Sequence, residues 1–134
     1  MARSVLVDSS FFINRLRAGG DPLQELTAFS GEFDYATCGV VTVEVLRGMK
    51  HKNAHRRMAN YLQCMRYVPT LNHLWESVER LTWELDRTGK IMQLTDLIIA
   101  ASALDIEATL LTLDSDFLRV PKLRVIQRLN AFDS

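Results

Sequence analysis

The sequence predicts an α/β protein built on a parallel sheet. Two observations carry that prediction. Short β-rich runs alternate with helical patterns along the chain, from Val5-Leu6-Val7 through Tyr35–Val41 to Ala108–Leu113. Strands alternating with helices imply parallel pairing through right-handed crossovers. A carboxylate also recurs where a strand stops or a helix starts: Asp8, Glu44, Asp96 and the Asp114-Ser115-Asp116 pair. Open parallel sheets gather their ligands outside the carboxyl ends of the strands. With 134 residues, the chain fits a single domain over 1–134 and can bury a real core.

Taken in order, residues 4–7 make the first strand, and Ser9 or Ser10 caps a helix through about Arg17. Gly19-Gly20-Asp21-Pro22 is a turn, with Pro22 opening a second helix to about Phe29. The second strand runs from Tyr35 to Val41. Thr42 then caps a helix in which Val43, Leu46 and Met49 share a face. A basic helix spans about Asn53 to Met65, with Met58, Tyr61, Leu62 and Met65 on one side, and Pro69 ends a short extended piece. Leu74, Val78, Leu81 and Leu85 mark an amphipathic helix stopped at Thr88-Gly89. Residues 95–104 form a nearly all-apolar helix central to the core, and residues 108–113 and 123–126 supply the last two strands.

Composition excludes several classes. Hydrophobic residues at 48% and charged residues at 24% are ordinary globular values, which argues against disorder. The amino terminus reaches Asp8 too soon for a signal peptide, and the apolar stretch around 97–101 is too short to span a bilayer. Cys38 and Cys64 lack metal-site spacing and are expected as buried, reduced thiols of a cytoplasmic protein. Net charge is zero, yet residues 45–75 hold six basic side chains, three histidines and no acid. The remainder therefore carries ten basic against sixteen acidic residues. Such a segment either tracks a phosphate backbone, through Arg47, Lys50, Arg56 and Arg57, or is a solvated helix face.

The acids each have a bland explanation. Asp8 suits an Asx-turn or cap, Glu44 suits the first turn of a helix, and a DxD turn is common. Asp96 resists that treatment best, because Thr95 already supplies a cap and Leu97–Ala101 behind it is apolar. Four occurrences of one pattern on distant segments point to a shared site. Crowded carboxylates repel one another, and oxygen-only ligands suit magnesium or manganese. The expectation is a metal-dependent phosphoryl-group enzyme, with nuclease as its leading form. No GxSxG elbow, GxxxxGK[ST] loop, GxGxxG or HExxH occurs, and His51 and His55 read as surface residues.

With these segments in hand, the chain resembles a PIN domain, most closely the small toxin nucleases of the VapC type. The pieces "VLVDSSFFI", "VTVEVLRG", "LTDLIIAASAL" and "LLTLDSDF" carry the resemblance across residues 5–117. It implies a three-layer α/β/α sandwich with a central parallel sheet, a magnesium or manganese site, and endonucleolytic cleavage of single-stranded RNA. The family's acids fall on Asp8, Glu44, Asp96 and Asp114 as metal-holding catalytic residues, with Asp116 an additional acid behind them and Thr112 the Ser/Thr near the metal. Ser10 stands where many members carry asparagine. The resemblance also implies a homodimer and a cognate antitoxin protein as partners. The alternative is a catalytically idle PIN-fold module that binds RNA or a protein.

Overall fold

The computed structural model describes residues 2–132. Five strands, β1 (Arg3–Val7), β2 (Phe33–Cys38), β3 (Arg66–Val68), β4 (Thr109–Leu111) and β5 (Val125–Ile126), form one parallel sheet in the order β3-β2-β1-β4-β5. Six helices connect them: α1 (Ser9–Arg17), α2 (Pro22–Ala28), α3 (Gly39–Arg47), α4 (Lys52–Gln63), α5 (Asn72–Arg87) and α6 (Leu94–Asp105). Right-handed crossovers put α1–α4 on one face of the sheet and α5–α6 on the other, because the chain reverses its direction across the sheet after β3. The result is the expected three-layer α/β/α arrangement.

β1 lies in the middle with Leu6 paired to Ala36 on one side and to Leu110 on the other. Val5, Leu6 and Val7 are fully buried, as a strand covered on both faces requires. The reversal of strand order falls between β1 and β4, so the crevice outside their carboxyl ends is the natural ligand position. Phe11, Phe12, Leu26 and Leu74 fill the helical layers, and α6 buries a continuous run from Leu97 to Ala103. Asp21 caps α2 by accepting from the backbone N–H of Leu23, with Pro22 next to it. Gly89, at φ +73°, stops α5 as expected.

Several boundaries differ from the sequence expectation, each for a local reason. α3 begins at Gly39, directly after β2, and takes the β-branched run Val40-Val41-Thr42-Val43 into a helix. Tertiary burial of Val41 and Val45 overrides the strand preference of those residues. Thr42 is therefore no cap; its hydroxyl donates back to the carbonyl of Gly39. Glu44 is then the sixth residue of its helix rather than part of the first turn. α6 starts at Leu94 with Gln93 in the cap position, so Thr95 does not cap it. Neither Ser9 nor Ser10 caps α1, whose cap position is Asp8. The short piece before Pro69 is a true edge strand, β3. Cys38 is buried as expected, but Cys64 ends α4 in solvent. Met58 and Met65 pack into the chain's own core.

Candidate active site

Four elements deliver carboxylates to one crevice of about 490 Å³. Asp8 follows β1, Glu44 projects from α3, Asp96 stands in the first turn of α6, and Asp114 follows β4. Ser10 lines the same crevice. The sequence pattern had placed the four acids together, with Ser10 beside them by resemblance, and the structure gathers all five at the switch point of the sheet.

Asp8 is the innermost acid, only 3% exposed. Its side chain makes no capping bond to α1. Its Oδ2 instead accepts from Ser10 Oγ and from Thr112 Oγ1, each at 2.7 Å. Those hydroxyls in turn accept backbone N–H groups, Ser10 from Leu113 at 2.9 Å and Thr112 from Asp114 at 3.1 Å. Each hydroxyl has a single proton. With both protons given to Asp8, the 3.1 Å approach of Ser10 Oγ to Thr112 Oγ1 carries none. The network ties the 112–114 loop to Asp8 and fixes one carboxylate oxygen. Ser10 thus holds both the acid and the loop.

Glu44 is held from α1, where Ser9 Oγ donates to its Oε1 at 3.0 Å. α3 packs beside α1, which brings the two side chains together. Asp114 serves two ends at once. Its Oδ1 accepts the backbone N–H of Asp116 at 2.9 Å and caps the 3₁₀ helix Ser115–Arg119, while the residue still borders the crevice. Asp116 turns aside toward Arg119, at 3.4 Å, and does not line the crevice.

Asp96 reports the electrostatics of the whole group. Burial, then the neighbouring charges of Asp8, Asp114, Glu44 and Asp116, push its carboxyl up to about 6. A first-turn aspartate ordinarily gains from the helix dipole; here desolvation and like charge outweigh that gain. The group is oxygen-rich, anionic and free of sulfur or imidazole, a donor set that suits a hard divalent cation. Among the described residues, no three such side chains already close on one ion-sized point. Magnesium sites commonly keep several waters and use one or two carboxylates directly.

Sequence reasoning missed part of the lining. Ile13, Asn14 and Arg17 continue the face of α1 that begins at Ser10, and Gln93 and Leu113 complete the rim. The spacing 10, 13, 14, 17 was a legible helical face, although nothing in it announced a site.

The basic segment divides in two. Lys50, His51, Lys52, His55 and Arg56 surround a separate depression of about 430 Å³ where α3 meets α4, with no acid in its lining. Arg57 points to a different side of α4 and pairs with Asp21 at 2.8 Å. Arg56 and Arg57, both expected to track a phosphate backbone, thus stand on different faces, since adjacent helix positions are about 100° apart. Arg47 ends α3 in solvent.

Comparison with known proteins adds the family. The PIN domain family matches residues 5–123. No curated protein matches the chain. Among solved structures, VapBC2 from Rickettsia felis bound to a promoter DNA fragment superposes with a TM-score of 0.77 at 21% identity, over 92% of this chain and 97% of that one. The DNA-bound VapBC of Salmonella typhimurium gives 0.73 at 17% identity, over 94% and 98%. VapC20 of Mycobacterium tuberculosis, described as a Sarcin-Ricin loop cleaving toxin, gives 0.62 at 19% identity, over 85% and 92%. At such identities the likeness is one of fold, and it runs almost the full length of each chain. The family match covers the four crevice acids, most of β1 and all of β2 to β4: the chain belongs to the PIN-domain family.

Proposed function

We propose that this protein is a magnesium- or manganese-dependent endoribonuclease that cleaves single-stranded RNA, acting as one nuclease domain and as the toxin of a toxin–antitoxin pair. The observation that carries this reading is the convergence of Asp8, Glu44, Asp96 and Asp114 from four elements on one crevice, at an electrostatic cost visible in the raised Asp96 carboxyl. A fold without a cation to bind gains nothing from that repulsion.

In this reading Asp8, Asp96 and Asp114 hold the ion directly or through water, and Glu44 supports it from α3. The cation supplies charge neutralisation at the scissile phosphate and the activation of water. The chain's own residues do the positioning. Ser10 and Thr112 fix the Asp8 carboxylate by spending both hydroxyl protons on Oδ2. Ser9 orients Glu44. Asp96 would hold the ion with a carboxylate that a bound cation would keep ionised, offsetting the burial and like charge that raise it to about 6. Asp116 acts from behind, through the N–H it gives to Asp114. Lys50 and Arg56, with Arg47 nearby on the chain, track the RNA backbone; Arg57 has a weaker claim because Asp21 already holds it.

A cognate antitoxin and a homodimer belong to the same proposal. The support is the company of the fold, since solved neighbours include toxin–antitoxin complexes such as one from Klebsiella pneumoniae. Exposed apolar side chains, Trp83, Ile91, Leu94 and Leu118 among them, are surface available for such contacts. The deciding experiment is cleavage of a labelled single-stranded RNA by purified protein with and without magnesium, with Asp8→Asn and Asp96→Asn as controls. RNA binding without cleavage in every metal condition favours the idle module instead.

A further inference from the structure

We infer that Arg17 is a substrate-binding residue whose guanidinium receives the RNA phosphodiester at the mouth of the acidic crevice; the inference rests on the ribonuclease reading above. α1 turns Ser10, Ile13, Asn14 and Arg17 to the crevice, the spacing of one helical face. That line starts at Asp8, which Ser10 binds, and ends two turns later at Arg17. Helical side chains lean toward the N-terminus of their helix, so a long side chain at 17 is directed back along α1 toward the acids.

Arg17 is the single cationic side chain lining the crevice among the described residues. Arg15, two positions earlier, is committed elsewhere, with Nε 2.9 Å from Glu25 and its guanidinium 4.7 Å above the Phe11 ring. Arg17 makes no ion pair with any carboxylate among the described residues. A free guanidinium therefore stands beside four acids without being neutralised by them.

Charge balance gives that cation a task. Four ionised carboxylates offset two divalent ions and more than offset one. In either case the approaching phosphodiester brings a further negative charge that the acids and the cation leave uncompensated. A guanidinium at the rim supplies the missing charge, and its planar fork can bond two phosphate oxygens at once. The competing explanation is structural: basic side chains in the last turn of a helix offset its dipole. That role asks only for a positive charge, so lysine would serve it equally well.

The test uses the full chain, with Arg17→Ala and Arg17→Lys beside the wild type. Steady-state cleavage of a single-stranded RNA oligonucleotide in magnesium is followed together with binding of the same oligonucleotide in EDTA, where cleavage is expected to stop, across a salt series. For Arg17→Ala the expected result is a fall in kcat/KM of at least about tenfold, the size of one lost charge-assisted phosphate contact. Its binding slope against log salt should flatten by about 0.7. Arg17→Lys should recover the salt slope but only part of kcat/KM. Both variants should melt close to the wild type. Wild-type kcat/KM and salt slope in Arg17→Ala, with or without a lowered melting temperature, would overturn the proposal while leaving the ribonuclease reading intact. A wild type that neither binds nor cuts RNA sinks that reading first, and Arg17 with it.

Discussion

The acidic crevice and the basic depression at the α3–α4 corner are both clusters of one charge, but they are built in opposite ways. In the crevice, Asp8 is buried and its bonds are made to Ser10 and Thr112 from segments more than a hundred positions apart. At the corner, Lys50, His51, Lys52, His55 and Arg56 come from one short stretch and are all exposed. The first cluster costs folding energy and persists because four elements over-determine it. The second costs almost nothing, since water screens it. Concentrated repulsion in a buried place is the stronger sign of a ligand, and the crevice is where chemistry is expected to fail when a residue is changed.

The largest expected effects break the crevice outright. Removing divalent metal with EDTA should abolish cleavage of single-stranded RNA, and magnesium or manganese should restore it. Asp96→Asn should lose most activity in magnesium, by at least about a hundredfold, in line with losses on disturbing a charge-stabilising group. Cleavage by metal-stripped protein at the full rate would remove the crevice's claim to a ligand, because the acids would then have no cation to serve.

Stability separates the acids from one another. Asp96 has its carboxyl pushed up to about 6, against an ordinary 3.8 in the unfolded chain. Between those values the folded metal-free protein holds a proton that the unfolded chain has released, so stability falls as pH rises through this window. Above about pH 6 the loss levels off. Metal-free Asp96→Asn lacks this dependence and should melt above the wild type at pH 7, with the two converging near pH 4. Asp8→Ala should do the reverse. It strips the acceptor from two hydroxyls; Ser10 and Thr112 can then bond each other, leaving a net cost of about 1–3 kcal/mol for one buried donor gone unpaired. Thermal melts of the three metal-free proteins across pH check both, and a wild type more stable than Asp96→Asn at pH 7 would make Asp96 a structural residue.

The same proton bears on metal affinity. A cation at the crevice competes with the proton on Asp96, so magnesium or manganese should bind progressively more weakly below about pH 6. Displacement of one proton corresponds to about tenfold in affinity per pH unit well below that value. Manganese titrations at pH 5 and pH 7.5 read this without any activity assay. Equal affinity at both would mean that Asp96 stands outside the cation's reach.

What the sequence disclosed follows the same division. Strand-end acids were legible because a parallel sheet leaves little choice about where β1 and β4 deliver their next residues; Asp8 and Asp114 could hardly be elsewhere. The hydrophobic spacing of Leu74, Val78 and Leu85 likewise defined α5 and its buried face. Glu44 was found for a partly mistaken reason: the strand was expected to run to Val41 and Thr42 to cap the helix, whereas the helix starts at Gly39 once Val41 and Val45 meet the core. Arg17 was missed because an arginine near a helix end is ordinary until the crevice beside it is seen. Exposed charges were least legible: one residue's difference sends Arg56 to the basic depression and Arg57 to Asp21, and no apolar pattern fixes which way either points.

That adjacent pair gives the smallest and sharpest expected effect. If the basic depression follows the RNA backbone, Arg56→Ala should flatten the dependence of RNA binding on salt by about 0.7 in log–log slope, the release expected from one single-strand phosphate contact. Arg57→Ala should leave the slope nearly unchanged, because its guanidinium already faces Asp21 at 2.8 Å. Instead it should free Asp21, whose carboxyl the Arg57 hydrogen bond holds below the usual carboxylate range and which also caps α2. Any stability change there should be small, since the pair is exposed and surface ion pairs contribute little. Equal slopes in both variants and in the wild type, with RNA binding intact, would hand the depression to a protein partner. A larger change from Arg57 than from Arg56 would mean that RNA leaves the crevice over α2 rather than past the α3–α4 corner.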